Sequence, residues 1–312
     1  MLGPGIITHE FVQDFAHVTN GIVHSVASRS AERASTFAST YGIPHAYDNY
    51  EQLYQDQDID AIYIATPHTF HFEQSKSAME AGKAVLCEKP LTEEPDSSKK
   101  LIHLAQSQGL YLMEGMWTYF LPAIRTAKSW VEEGRIGAVL HDRSSFGYPV
   151  PYAENSRYYS PDLAGGCLLD MGIYNVAMAH LFIGKDIQTI HTQMHHAPTG
   201  VDNDVLSQIN YGEVSAILHS SFRCKLHNHL YIIGEKGYID IHDIWRARGC
   251  VLYEGERVID TFDDQRKGNG FEYQIEAVNN DLLAGKTESE VVTHETSLAF
   301  QEVIERMREW AI

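Results

Sequence analysis

The sequence predicts an α/β protein of two domains: an N-terminal doubly wound (Rossmann) parallel sheet, and a C-terminal α+β domain with a large, open, mainly antiparallel sheet. Over roughly the first 120 residues, short continuous apolar runs alternate with amphipathic segments, as in a parallel sheet covered on both faces. From about residue 135, longer runs alternate between polar and apolar residues, which is typical of strands with one solvated face. A chain of 312 residues also suits two domains better than one. We place them at 1–120 and 121–312.

The first half alternates helices and strands in the order that a doubly wound domain requires. Ser30 is a typical N-cap and Gly42 a typical stop, so together they bound the second helix. Runs such as IDAIYIA are continuous and β-branched, which predicts buried strands. The other predicted elements are helices over 7–18, 69–81 and 93–107, and strands over 22–27, 59–65, 84–87 and 110–113.

The second half predicts a sheet with one polar face. Its alternating runs are VLHDRSSFGY, DIQTIHTQMHH, DVLSQINYG, VSAILHSSFRC and HLYIIGEKGYIDIH. Period-two patterning of this kind favours antiparallel strands. We expect helices near 168–183, 271–284 and 294–310 to flank the sheet.

The charge and the cysteines restrict the partners and the compartment. Lysine and arginine number 24 against 42 acidic residues, a net charge of −18. Such a surface repels nucleic acid and anionic lipid, so we expect neither as a partner. No apolar run approaches the ~20 residues of a membrane span, and no signal peptide pattern is visible. The four scattered cysteines are typical of reduced, buried thiols, so we expect a cytoplasmic protein.

A glycine turn begins the chain. Gly3-Pro4-Gly5 has the pattern G-x-G-x-x-T, with Thr8 where the dinucleotide fingerprint has glycine or alanine. Gly3 and Gly5 permit close backbone approach, Ile6 follows them as a further candidate cofactor contact, and the helix predicted over 7–18 offers its N–H groups to a pyrophosphate. A chance pair of glycines is the alternative. Only two residues precede the turn, so we expect the first strand of the sheet to be truncated.

The end of the second strand favours NADP over NAD. An NAD site usually carries an acidic residue there, which binds the ribose 2′-hydroxyl; this chain has Ser28 and Arg29 instead. Ser28 can donate to a 2′-phosphate, and Arg29 can pair with it and lie on the adenine. The alternative is that Arg29 is a solvated residue at the start of a helix.

Two further stretches carry candidate catalytic residues. AVLCEKPL (84–91) brings Glu88 and Lys89 to the carboxyl edge of the sheet, where such folds bind ligands, and the Lys89–Pro90 bond is a candidate for cis. In 164–184, Asp170 and Tyr174 are four residues apart, which places both on one helix face. The alternatives are a surface lysine at a turn and a tyrosine that caps a buried group.

The histidines do not predict a metal site. His227 and His229 alternate on one expected strand, and His191, His195 and His196 lie on another. No matched cysteine or carboxylate set accompanies them at a familiar spacing. We expect no functional metal.

Four segments, which follow one another along the chain, resemble those of a known protein family. They are TPHTFH (66–71), CEKPL (87–91), MEGMWTYFLPA (113–123) and AGGCLLDMGIY (164–174). Together they resemble the Gfo/Idh/MocA oxidoreductases, the glucose–fructose oxidoreductase and inositol dehydrogenase superfamily. The likeness covers nearly the whole chain. It is strongest to the branch of dimeric dihydrodiol dehydrogenases and NADP-dependent D-xylose dehydrogenases.

The resemblance implies roles for individual residues. Lys89 would lie against the nicotinamide ribose, Tyr174 would be the general acid/base, and Asp170 would position the pair or a sugar hydroxyl. A free phenol has a pKa near ~10, which a neighbouring ammonium lowers. Inositol-dehydrogenase-like members have histidine at the place of Tyr174, which argues against a cyclitol substrate. Further cofactor contacts implied are Thr66, Pro67, His71 and Glu88, and the implied pocket residues are Trp117, Phe146, Arg157 and Phe271.

The resemblance therefore predicts an NADP-dependent enzyme that moves hydride between the nicotinamide and a secondary hydroxyl of a vicinal diol or aldose. For Phe271, simple core packing is an equal alternative. Two other functions stay open: a non-catalytic NADP-binding sensor or co-repressor, and a glucose–fructose-type enzyme with tightly bound NADP. We expect a homodimer through the C-terminal sheet.

Overall fold

The chain, described over residues 1–311 by a computed structural model, divides into two compact units. The first comprises 1–117 and 266–298, and the second comprises 118–265 and the residues from 299 on. The first break lies close to the sequence-based boundary after residue 120. Segment 266–298, which the sequence-based division places in the second domain, belongs to the first unit because its helix packs on the helix after the glycine turn.

Residues 1–311 contain nine α-helices. They are α1 (Ile6–Asp14), α2 (Ala31–Tyr41), α3 (Tyr50–Gln55), α4 (His71–Glu80), α5 (Pro95–Gln108), α6 (Pro122–Glu132), α7 (Ile173–Phe182), α8 (Phe271–Leu283) and α9 (His294–Glu309). The cap of α2 is confirmed: Ser30 accepts a hydrogen bond from the Arg33 N–H, and Gly42 ends the helix at φ 66°.

The first unit contains a parallel sheet. Its strands are β1 (Ser25–Ala27), β2 (His45–Tyr47), β3 (Ala61–Ile64), β4 (Ala84–Glu88) and β5 (Leu112–Gly115). Leu2 makes a parallel bridge to Ala27 on one side and to Ile64 on the other. The order is therefore β2–β1–Leu2–β3–β4–β5, which confirms the doubly wound fold. The first strand is as short as the sequence predicts.

A cavity of about 610 Å³ lies beside Met1. Its walls are residues 19–25, residues 58–63 and one face of α8. The Met1 ammonium donates to the Ser25 carbonyl at 2.8 Å, and burial lowers its pKa to about 5. The glycine turn follows Leu2 at the carboxyl edge of the sheet, whereas the cavity lies toward the amino ends of the strands. It is therefore not the candidate active site.

The second unit is built on a single sheet of eight strands. Its strands are β6 (Val139–Gly147), β7 (Thr189–His196), β8 (Asp202–Asn210), β9 (Ser215–Ser221), β10 (His229–Gly234), β11 (Tyr238–His242), β12 (Gly249–Glu254) and β13 (Arg257–Asp263). The order is β13–β12–β11–β10–β6–β9–β8–β7. Among these eight strands, as described up to residue 311, β6 and β9 pair in parallel and the other neighbours pair antiparallel. Helices α6 and α7 cover one face, which confirms the predicted α+β architecture.

Several elements differ from the sequence-based expectation. The strand predicted over 22–27 begins as β1 only at Ser25, which pairs with His45, the first residue of β2. The sequence analysis missed β2, α3, α6, β12 and β13; β2 and α3 have only three and six residues, too few for a clear period. Cys224 is exposed rather than buried, whereas the other three cysteines are buried. Within residues 1–311, no helix combines the length and hydropathy of a membrane span.

Candidate active site

The glycine turn has the conformation that a phosphate-binding loop needs. Gly3 has φ +82°, and a Cβ there would lie 2.9 Å from Thr66 Cγ2 and 3.1 Å from the Ala65 carbonyl oxygen. Only glycine fits such a position without strain. Thr8 is fully buried, and its hydroxyl donates to the Gly3 carbonyl at 2.6 Å. This bond explains the departure from the fingerprint, because Thr8 holds the turn closed.

The N-terminus of α1 is suited to an anion. Gly5 precedes the helix in an extended conformation, and the first turn carries no acidic residue and no side-chain cap from the described part of the chain. Ile6 is largely exposed. The N–H groups of this turn and the helix dipole therefore favour a negatively charged group.

The residues after β1, which the sequence predicts to bind the 2′-phosphate, are polar. Ser28 is buried, and its Oγ accepts a hydrogen bond from the Ser30 N–H at 3.2 Å, which leaves the hydroxyl proton for a ligand. Arg29 is exposed, and its Cζ lies 5.3 Å from the centroid of the Phe70 ring. Phe70, which was not singled out from the sequence, packs against the Arg29 guanidinium. A guanidinium and an aromatic ring are both flat groups on which a purine ring can stack.

His71 joins the loops after β3 and β4. It is fully buried, with Nδ1 2.8 Å from the Pro90 carbonyl oxygen and Nε2 2.9 Å from that of Thr66. Burial lowers the pKa of His71 against the effect of these two carbonyls. A neutral imidazole has one N–H and donates to only one of them. His71 therefore positions the loops that carry Thr66, Pro67 and Lys89, and its direct contact with a cofactor stays a prediction.

The loop after β4 presents Lys89. The Lys89–Pro90 bond is cis, as predicted. Glu88 is buried, and its Oε1 accepts a hydrogen bond from the Tyr63 hydroxyl at 2.6 Å. Glu114, which the sequence analysis missed, accepts the Leu91 N–H at 2.8 Å. Burial raises the pKa of Glu114 to about 7, although the charge of Lys89 opposes this rise. Its place in the MEGMWTYFLPA segment was the available signal.

Two predicted pocket rings stack within the first unit. The rings of Trp117 and Phe271 are 4.3 Å apart and nearly parallel, and Phe11 packs on the edge of Phe271 at 5.7 Å. Trp117 is 4% exposed and Phe271 0%. The arrangement is that of a packed core for Phe271; the role of either ring at a substrate stays a prediction.

In the second unit, Asp170 and Tyr174 lie on a helix with an unusual start. Residues Leu168–Gly172 form a π-helical turn that leads into α7, so the helix predicted over 168–183 is not α-helical throughout. Such turns are often found at functional sites. Gly172 permits close packing on β9, because a Cβ there would lie 3.0 Å from Ser220 Oγ.

A cluster of aromatic rings lies on one side of Tyr174. The Tyr174 ring is 5.6 Å from Phe146 in an edge-on contact, and Phe146 stacks on Trp245 at 4.3 Å. Tyr148 packs edge-on against Trp245 at 5.6 Å. Neither Trp245 nor Tyr148 was singled out from the sequence, although Tyr148 ends the run VLHDRSSFGY. Together the rings form an apolar wall beside the phenol.

The carboxylate of Asp170 has a cationic partner. Arg157 Nη2 lies 3.4 Å from Asp170 Oδ1, and the Arg157 Cζ lies 4.2 Å from the centroid of the Tyr158 ring. The second unit thus brings Arg157 to Asp170 and Phe146 to Tyr174.

The predicted cofactor residues of the first unit all lie at or after the carboxyl ends of parallel strands, which is where doubly wound folds bind nucleotides. They fit NADP: a glycine cradle, an open helix start, and a hydroxyl with a cation in place of an acidic residue.

Both halves of the chain match known proteins. Residues 1–116 match an oxidoreductase family with an NAD-binding Rossmann fold, and residues 124–240 match the GFO/IDH/MocA C-terminal domain. Trans-1,2-dihydrobenzene-1,2-diol dehydrogenase of Mus musculus is 31% identical over 99% of this chain and 95% of its own. The Xenopus laevis enzyme of that name is 33% identical over 93% of this chain and 88% of its own. A solved 3-ketoreductase from Actinomadura kijaniata, in complex with NADP and TDP-benzene, has a TM-score of 0.89 at 25% identity, with 99% of this chain and 96% of that chain covered.

Proposed function

Because the chain belongs to the Gfo/Idh/MocA oxidoreductase family and is a NAD(P)-dependent dehydrogenase, we propose that it uses NADP to interconvert a secondary hydroxyl and a carbonyl on a vicinal diol or an aldose. Trans-dihydrodiols and D-xylose are the substrates to test. The observation that carries the proposal is the similarity to dihydrodiol dehydrogenases over nearly the full chain. The aromatic wall of Phe146 and Trp245 beside Tyr174 supports it, since such a wall suits a cyclic diol or the apolar face of a sugar.

NADP would be held by the carboxyl edge of the first sheet. The turn of Gly3 and Gly5 and the start of α1 would bind the pyrophosphate, while Ser28 and Arg29 would bind the 2′-phosphate. When bound, NADP supplies the hydride acceptor or donor at its nicotinamide ring. Lys89 would hold the nicotinamide ribose by charge and hydrogen bonding. Thr66, Pro67 and Glu88 would be further cofactor contacts at the carboxyl edge of the first sheet.

Tyr174 would hold and move the proton. During oxidation its phenolate oxygen would take the proton of the substrate hydroxyl and become the phenol, and during reduction the phenol would give that proton to the carbonyl oxygen. Asp170 would fix a neighbouring substrate hydroxyl, and its ion pair with Arg157 would orient the carboxylate.

The test is a nicotinamide absorbance assay with NADP and NAD, each offered against a trans-dihydrodiol, D-xylose and D-glucose. We expect turnover with NADP, and a loss of about 100- to 10,000-fold in kcat for Tyr174→Phe with an unchanged Kd for NADP. Tyr152→Phe is the matched control, because Tyr152 is exposed. Calorimetric NADP binding without turnover on any of these three substrates would refute the proposed substrate class and favour the alternative of an NADP-binding sensor. NADP that co-purifies would favour a glucose–fructose-type enzyme.

We also propose a homodimer through the open face of the larger sheet, in a protein of the cytoplasm. Leu206 and Ile217 are each 40% exposed on neighbouring strands β8 and β9, and apolar side chains there favour association. Light scattering should return twice the chain mass. The double variant Leu206→Lys, Ile217→Lys should return the mass of one chain, and a dimeric variant would refute this interface.

A further inference from the structure

Two histidines and an aspartate cluster on the open face of the larger sheet, apart from the residues that we assign to the reaction. Antiparallel pairing of β10 and β11 sets His229 directly opposite His242. Asp240 lies two residues before His242, so it is on the same face and diagonal to His229. One ligand atom of each residue lies within 4.8 Å of those of the other two.

Asp240 lies close to both imidazoles. Its Oδ2 is 3.5 Å from His242 Nε2, and its Oδ1 is 3.7 Å from His229 Nδ1. Oδ1 is buried and has no hydrogen-bond partner among residues 1–311. A buried carboxylate oxygen without a partner costs free energy. A cation bound between the carboxylate and the imidazoles would remove this cost.

The ligand set and its spacing suit a transition metal. Two imidazoles and one carboxylate are preferred ligands of Zn²⁺. Ligand atoms ~2.1 Å from a tetrahedral ion stand ~3.4 Å apart. The two distances between an imidazole nitrogen and a carboxylate oxygen, 3.5 and 3.7 Å, are close to this value, and the whole set, now within 4.8 Å, would contract on binding. The Tyr231 hydroxyl lies 2.9 Å from His229 Nδ1, and a metal bound through this nitrogen would displace that contact.

The cluster is accessible and its surroundings attract cations. The His242 side chain is 64% exposed, whereas those of His229 and Asp240 are 14% and 13% exposed. The proposed dimer patch of Leu206 and Ile217 lies on β8 and β9, and β6 separates β9 from β10. In the single chain, an ion can therefore enter from the solvent and reach the two more buried ligands. The net charge of −18 raises the local concentration of cations.

We propose that His229, Asp240 and His242 bind one divalent transition-metal ion of the zinc type, with one coordination position left for water or a fourth side chain. His227 is the nearest candidate for that position, since its ring lies 5.6 Å from that of His229. The ion would link β10 to β11 and stabilise this hairpin. It takes no part in hydride transfer. The sequence pattern did not reveal the set because its members come from two strands that only folding brings together.

The test is calorimetric titration of Zn²⁺ into the chelator-treated full chain, in the oligomeric state that it adopts. The variants His242→Gln and Asp240→Asn each remove one ligand, and His191→Gln removes an exposed histidine of β7 as a matched control. A parallel titration with Co²⁺ reports the coordination geometry through its visible absorption.

We expect one saturable Zn²⁺ site per chain, weakened about tenfold or more in both ligand variants and unchanged in His191→Gln. Co²⁺ should give an intense tetrahedral spectrum that both ligand variants weaken. Weak binding of several ions, or a site that survives both ligand substitutions, would overturn the proposal. Circular dichroism of each variant checks that the fold is retained. Because the readout is metal binding, the result is independent of the proposed dehydrogenase activity.

Discussion

Asp142 provides a quantitative test of the packing in the second unit. This residue lies on β6, the central strand that pairs with both β9 and β10. It is fully buried, and neither carboxylate oxygen has a hydrogen-bond partner among the described residues. Burial raises its pKa to about 8, although Ser144 opposes the rise. At neutral pH the folded chain therefore keeps this carboxyl protonated.

The pKa predicts how stability depends on pH. The folded state holds a proton that the unfolded state has released at every pH between the ordinary value of 3.8 and about 8. The contribution of Asp142 to the free energy of unfolding is therefore largest below pH ~4. It falls by about 1.4 kcal/mol per pH unit as the pH rises, and it levels off above pH ~8. Between pH ~5 and pH ~7.5 the loss is about 3 kcal/mol.

Asp142→Asn should remove this dependence, because the amide does not ionise. Urea unfolding followed by tryptophan fluorescence, at pH ~5 and pH ~7.5, measures the free energy of unfolding of both proteins. We expect the variant to gain about 3 kcal/mol relative to the parent between these two pH values. Any constant cost of burying the amide cancels in this comparison. A difference between the two proteins that is the same at both pH values would refute the reasoning.

Two further substitutions test the candidate site. Gly3→Ala puts a side chain on a residue with φ +82° and places its Cβ 2.9 Å from Thr66 Cγ2. We expect the Kd for NADP, measured by calorimetry, to rise about tenfold or more. An unchanged Kd would contradict the assignment of this turn as a phosphate-binding loop. Trp245→Ala removes the ring that stacks on Phe146 at 4.3 Å. We expect the KM for the substrate that is turned over to rise about tenfold with little change in the Kd for NADP. An unchanged KM for both the dihydrodiol and D-xylose would argue against an aromatic wall that contacts the substrate.

The local pattern of the chain was sufficient to predict most of the architecture. Continuous apolar strands, the Ser30 cap and the Gly42 stop are encoded within a few residues, so α2, β3 and β4 follow from the sequence. The glycine turn and the CEKPL segment likewise predict a cofactor site at the carboxyl edge of the first sheet, and CEKPL predicts the cis Lys89–Pro90 bond. Short elements such as β2 and α3 lie below the length at which a period is visible.

Contacts between distant segments were decided only by the tertiary structure. Asp14 at the end of α1 accepts hydrogen bonds from the N–H groups of Gly270 and Phe271, which joins segment 266–298 to the first unit. Trp245 reaches Phe146, and His242 reaches His229, through strand pairings whose register no local pattern specifies. By itself the sequence determined the elements that single segments encode, namely the two kinds of sheet, the glycine turn and the candidate catalytic side chains. The tertiary structure determined which of these side chains meet, because burial and pairing depend on residues far apart in the chain.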